Sequence, residues 1–171
     1  MAHGNARDGL PLTGEPDMKL TLHPRTAIAA ALLLAFACGG SAAAADAQGE
    51  ANRKVVLDFY EKGLNQKDAD AAIALMGNRY VQHNPNAADG PEGFRKFIGF
   101  LKEKFPNSKS EIKRSFVDGD YVILHVHAVR EPGTRGTAII DVFKLENGKI
   151  VEHWDVAQPI PDNPANNNGM F

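Results

Sequence analysis

Asp141, His153 and Asp155 flank an Asn147-Gly148 pair within one run from Ile139 to Asp155. Carboxylates and imidazoles are the groups that move protons near neutral pH. Asn-Gly tolerates the positive φ that a type I′ turn demands, so the run predicts a β-hairpin. Side chains alternate along a strand, which puts Ile139, Asp141 and Phe143 on one face and Val151, His153, Asp155 and Ala157 together on the next strand. An aspartate between Ile140, Val142 and Phe143 is expected in an apolar cavity, where a carboxyl group is held neutral and donates a hydrogen bond. Glu152 and Trp154 point the other way, Trp154 as packing.

Other residue types could join this chemistry. Tyr121, Ile123, His125 and His127 share one face of a predicted strand, and two histidines two apart on a strand are neighbours. They are candidates for substrate contact or base assistance. His125-Val126-His127, with Gly119 before it and Glu131 after it, also has the spacing that opens a cupin metal motif, although the later part of that motif is missing; zinc or iron would suit the imidazoles. In Tyr80-Val81-Gln82-His83-Asn84-Pro85, the polar side chains of Gln82, His83 and Asn84 fall where a short strand meets a loop. Tyr60 lies on the apolar face of the first helix, and a buried phenol needs a partner.

The elements that must hold these residues divide by period. Val55, Val56, Phe59, Tyr60 and Leu64 recur at helical spacing over Asn52 to Leu64. Asp68 can cap a shorter helix running to Met76, with Gly77 at its end. Pro91 suits a first helical turn, and Phe94, Phe97, Ile98, Leu101 and Phe105 mark a third helix. The second half then alternates: 109–117, 121–130, 137–145 and 149–158 predict four strands in a meander. Helices followed by antiparallel strands predict an α+β domain over 50–158, with about three helices on a curved, mainly antiparallel sheet. An irregular tail is expected over 159–171.

Composition bounds the rest. Residues 18–47 have the three parts of an export signal: Lys19 and Arg25, an apolar run from Ala27 to Ala37, and small residues from Ser41 to Ala45. The run is too short for a permanent bilayer span. Residues 1–17 are expected to be an upstream extension, with Met18 as the start. The protein is expected in the periplasm or secreted, with lipid attachment at Cys38, the only cysteine, as the alternative. From Asp46 onward the chain carries 16 basic and 18 acidic residues. That balance, with no basic block, argues against a nucleic-acid partner.

Taken together, Asp141-Val142-Phe143-Lys144, Gly148-Lys149-Ile150 and His153-Trp154-Asp155, with Tyr80 to Pro85, resemble the SnoaL-like polyketide cyclases of the nuclear transport factor two-like superfamily. The resemblance covers roughly Asn52 to Gln158. It implies a cone-shaped α+β barrel, with Asp155 at the cyclases' catalytic acid/base position. His153 matches another histidine of that segment, and Asn84 a pocket asparagine. The ketosteroid isomerases of the same superfamily place a protonated oxyanion-hole aspartate at Asp141 and a tyrosine at Tyr60, and their basic aspartate falls on Asn84. The implied function is cofactor-free acid/base chemistry on a small carbonyl compound, with Asp155, Asp141 and His153 catalytic. Tyr60, Gln82, His83, Asn84, His125 and His127 would contact the substrate. The alternatives are a non-enzymatic ligand-binding protein of the same fold or a His-x-His metal-binding protein. A homodimer is expected through the outer sheet face, supplied by Val122, Leu124 and Val126.

Overall fold

The structure, a computed structural model, describes residues 44–171. Residues 18–43 of the expected export signal, Cys38 and the upstream extension lie outside the described residues. No described helix is long and apolar enough to cross a membrane.

Helix α1 spans 44–60 and runs on into a π-helical turn, Glu61–Asn65. Val56, Phe59, Tyr60 and Leu64 form its buried stripe. Asp68 accepts the backbone N–H of Ala71 and so starts α2 (Ala69–Ile73), as its side-chain type predicts. Helix α3 (Gly90–Lys104) opens with Pro91 in its first turn and buries Phe94, Ile98 and Leu101. The strands are β1 (Met76–Gln82), β2 (Lys109–Asp118), β3 (Tyr121–Val129), β4 (Thr137–Glu146) and β5 (Lys149–Pro159). They form one sheet in the order β1-β5-β4-β3-β2. The four-strand meander is antiparallel throughout, and β1 pairs in parallel with β5. This is the mixed α+β architecture expected. Asn147 and Gly148 both take positive φ, 51° and 70°, so the hairpin turn is the one their types demand.

Two expectations are corrected. The second helix stops at Ile73, and Gly77 belongs to β1 rather than to a helix end. A Cβ at Gly77 would lie 2.9 Å from Val151 Cγ1, so glycine lets the edge strand approach β5. Val122, Leu124 and Val126 do not supply an outer face. All three are fully buried against Val56, Phe59, Phe94 and Ile98, and the alternation of β3 turns Tyr121, Ile123, His125 and His127 outward instead.

Truncation separates the two placements. Leu124→Ala should lower unfolding stability by about 2–5 kcal/mol, the cost of a cavity in a packed core, measured by urea denaturation. An effect within roughly 0.5 kcal/mol is what an exposed position gives, and would contradict the packing described.

Candidate functional site

The hairpin register sets Asp141 directly opposite Asp155, and Phe143 opposite His153, on the inner face of β4 and β5. The parallel register of β1 sets Gln82 beside His153. Helices α1 and α3 close over this face, leaving a cavity of about 230 Å³ lined by Tyr60, Tyr80, Gln82, Asn84, Asp141, His153 and Asp155 among others. That is the liquid volume of roughly eight waters at about 30 Å³ each. Phe143 forms part of the wall, its ring 4.6 Å from that of His153 and edge-on to Tyr60 at 6.4 Å.

The hydrogen bonds fix where one proton must be. Asn84 N–H donates to Gln82 Oε1 at 2.9 Å, which assigns that atom as the amide oxygen. The same oxygen lies 3.0 Å from His153 Nδ1. An amide oxygen only accepts, so Nδ1 carries a hydrogen. In a neutral imidazole Nε2 then bears the lone pair, and it faces Asp141 Oδ1 at 2.9 Å. A bare carboxylate against a lone pair would repel, so a proton lies between them. The pair is neutral acid with neutral imidazole, or carboxylate with imidazolium; its net charge is zero either way. Asp141 Oδ2 accepts the Tyr60 hydroxyl at 3.1 Å. Burial first, and then the Asp141 charge, push the Tyr60 phenol well above its ordinary range, so it stays a donor.

Asp155 is treated differently. Both its oxygens accept from Asn84 Nδ2, at 2.7 and 2.9 Å. Asn86 N–H holds Asn84 Oδ1 at 2.8 Å and so points the amide nitrogen at the carboxylate. One forked donor leaves lone pairs of Asp155 facing the cavity, and Asp155 is less buried than Asp141. The supporting loop is pinned by Asp89, whose carboxylate accepts the Gln82 N–H at 2.7 Å.

The structure therefore brings together Tyr60, Gln82, Asn84, Asp141, His153 and Asp155. It does not bring the other three histidine-related candidates to the cavity. His83 is exposed, stacked on Trp154 at 4.4 Å and 3.3 Å from Glu152. His125 and His127 lie on the outer face of the sheet, against Phe171 at ring distances of 5.1 and 4.8 Å. His125 Nδ1 meets the Arg114 guanidinium at 3.1 Å, and His127 Nε2 donates to the Arg135 carbonyl at 2.7 Å. Those bonds engage one nitrogen of each ring, and the cation beside His125 opposes a metal ion there. Among the described residues, one trio of ligating side chains is close enough to share a cation: Asp141, His153 and Asp155, with ligand atoms within 4.8 Å of one another. The hydrogens of Tyr60 and Asn84 already point at those carboxyl oxygens.

Two cavity residues escaped the sequence reading. The Tyr80 hydroxyl oxygen is 3.4 Å from Gln82 Nε2, a long donor contact, and its own hydrogen has no acceptor among the described residues. Burial raises this phenol too. Arg130 follows Val129 and also lines the cavity. The signal for it was present: the alternation that turns Val122, Leu124, Val126 and Ala128 inward turns Arg130 inward as well.

Comparison with known proteins found a match between residues 56–153 and the family described as SnoaL-like domain. Comparison with curated proteins found no match. Among solved structures, a candidate SnoaL-like polyketide cyclase from Jannaschia sp. CCS1 aligns with a TM-score of 0.53 at 21% identity, over 64% of this chain and 86% of the other. TsrD from Streptomyces laurentii gives 0.53 at 19% identity, over 63% and 88%. An NTF2-like protein of unknown function from Cytophaga hutchinsonii gives 0.52 at 20% identity, over 63% and 90%. At these identities the likeness shows the fold alone.

The buried phenols carry a pH signature. Tyr60 and Tyr80 hold their protons more tightly folded than unfolded, so the unfolded chain loses protons first as pH rises past about 10. Folding stability is thus full below that pH and falls above it. Urea midpoints between pH 8 and pH 11 should drop steeply in the wild type and less steeply in Tyr80→Phe. Equal slopes in the two proteins would show that Tyr80 is not the buried phenol described.

Proposed function

The chain belongs to the SnoaL-like domain family, and from that premise we propose that it performs cofactor-free acid/base chemistry on a small carbonyl compound held in the cavity. The observation that carries this reading is the asymmetry between the two facing carboxyls. Asp141 is spent on Tyr60 and His153, while Asp155 keeps lone pairs toward the cavity, which the Tyr80 hydroxyl also lines with a hydrogen that has no acceptor among the described residues.

In this reading Asp155 removes a proton from the carbon next to the carbonyl. The C–H pair becomes the C=C bond of an enolate, and the carbonyl π pair moves to oxygen. The Tyr80 phenol, kept protonated by burial, donates to that oxygen. For isomerisation, Asp155 returns the proton at another carbon. For aldol closure, the enolate carbon attacks a second carbonyl of the same molecule, and the new alkoxide takes the proton from Asp155. Tyr60, expected as a direct oxyanion donor, has its hydroxyl hydrogen on Asp141. The pair it completes acts as a proton reserve at the cavity wall, and Gln82 sets its tautomer. A ligand carrier with the same cavity is the other reading, favoured by its apolar walls of Phe59, Leu64, Phe94 and Phe97.

Asp155→Asn tests the assignment by deuterium exchange at the carbon next to the carbonyl of enolisable ketones and keto acids, followed by NMR. Exchange catalysed by the wild type should fall about 10²–10⁴-fold in the variant. Full exchange in Asp155→Asn would remove Asp155 from the mechanism, and no exchange by the wild type would favour the carrier.

The same reading takes the protein to be a dimer of two copies joined through the outer sheet face. Support comes from Ile140 and Val156, cross-strand partners exposed by 42% and 74%, with Phe116 and Tyr121 also exposed. A two-fold interface uses one patch twice, which a self-complementary apolar surface allows. Sedimentation should give a dimer for the wild type and a monomer for Val156→Glu; a monomeric wild type refutes the pairing.

A further inference from the structure

Arg130 is the cavity group that this mechanism leaves unused. It enters from the end of β3 on the inner face, partly buried, with its guanidinium over the Phe97 ring at 5.6 Å. Among the described residues it has no ion-pair or hydrogen-bond partner. The surrounding carboxyls are committed elsewhere, Asp141 to Tyr60 and His153, and Asp155 to Asn84. Burial pushes the guanidinium down from its usual range, with Tyr60 and Asp141 opposing; an arginine nevertheless stays charged. A desolvated cation without a counter-charge is costly, and proteins normally pair such groups. The contact with Phe97 engages none of its N–H groups in a hydrogen bond, and these are what grip a carboxylate in two parallel hydrogen bonds.

The cavity's charge points the same way. The Asp141–His153 pair is neutral by the hydrogen-bond argument above, so Arg130 and Asp155 are the two remaining charges, opposite in sign and with no bond between them. A neutral ligand would leave the guanidinium without a bonded counter-charge. A carboxylate-bearing ligand supplies its partner and, anchored there, directs the rest of the molecule toward Asp155 and Tyr80. The volume limits the whole to a short chain or a single ring.

We propose that the cavity selects small carboxylic acids, with Arg130 gripping the ligand carboxylate while Asp155 acts on the carbonyl-bearing remainder. This rests on the acid/base reading for the second role and is independent of it for the first.

Calorimetric titration with benzoate, phenylacetate and phenylpyruvate, each beside its methyl ester, separates the two. The wild type should bind at least one acid roughly tenfold or more tightly than its ester, the worth of a charge-assisted bidentate contact. Arg130→Gln should erase that preference and leave ester affinity unchanged, which also reports that the cavity is still formed. Arg130→Lys should restore part of the preference. Asp155→Asn should keep the preference while losing deuterium exchange into phenylpyruvate. A preference without exchange in the wild type sinks the acid/base reading and leaves the carboxylate grip standing. Equal binding of acid and ester throughout, no binding of any acid, or an Arg130→Gln protein that still prefers the acid, overturns the grip itself.

Discussion

Two carboxyl groups stand directly opposite each other across an antiparallel strand pair, on the side that faces the cavity. Like charges so placed are destabilising even on a wet sheet, and more so away from water. Much of the surrounding architecture answers that constraint. His153 shares a proton with Asp141, Tyr60 donates to its other oxygen, and Asn84 bridges both oxygens of Asp155. The outcome is one neutralised acid and one retained charge, drawn from two chemically identical side chains. Environment rather than residue type has divided their work.

The division depends on orientation at second hand. Gln82 touches His153 but decides the protonation pattern of Asp141, because its oxygen obliges Nδ1 to carry hydrogen. Gln82 is itself turned by the Asn84 N–H and tethered by Asp89. Two backbone amides of the β1–α3 loop, those of Asn84 and Asn86, thus set the side-chain amides that meet His153 and Asp155.

The hairpin was legible because its signals are local. Asn147-Gly148 fixes the turn, the turn fixes the register, and the period of two then puts Asp141, His153 and Asp155 on one face. The same periodicity in β3 showed that the histidines oppose Val122, Leu124 and Val126. Which set faces inward is decided only when helices cover one side, and no local signal in β3 states that. His83 was misleading for a related reason: it neighbours Gln82 and Asn84 in sequence, yet alternation turns it onto Trp154. Gly77 read as a helix end because a glycine that stops a helix and one that lets strands approach look alike. Arg130 is a different case, since the pattern placing it inward was complete and only its position at the strand end obscured it.

The Asn147-Gly148 turn also has a kinetic meaning. It brings together two aspartates 14 residues apart through one local hairpin, the kind of contact that forms early. His153 comes with the hairpin, but the remaining partners come from much farther along the chain: Gln82 and Asn84 reach His153 and Asp155 across 71 residues, and Tyr60 reaches Asp141 across 81. A chain that has closed its hairpin but not yet docked β1 and α1 has His153 beside Asp141 but still lacks the Tyr60 and Asn84 donors. The half-folded form lacks those long-range hydrogen bonds, and only the completed one has them all. The feature that sets two acids in one cavity thereby makes folding more nearly all-or-none.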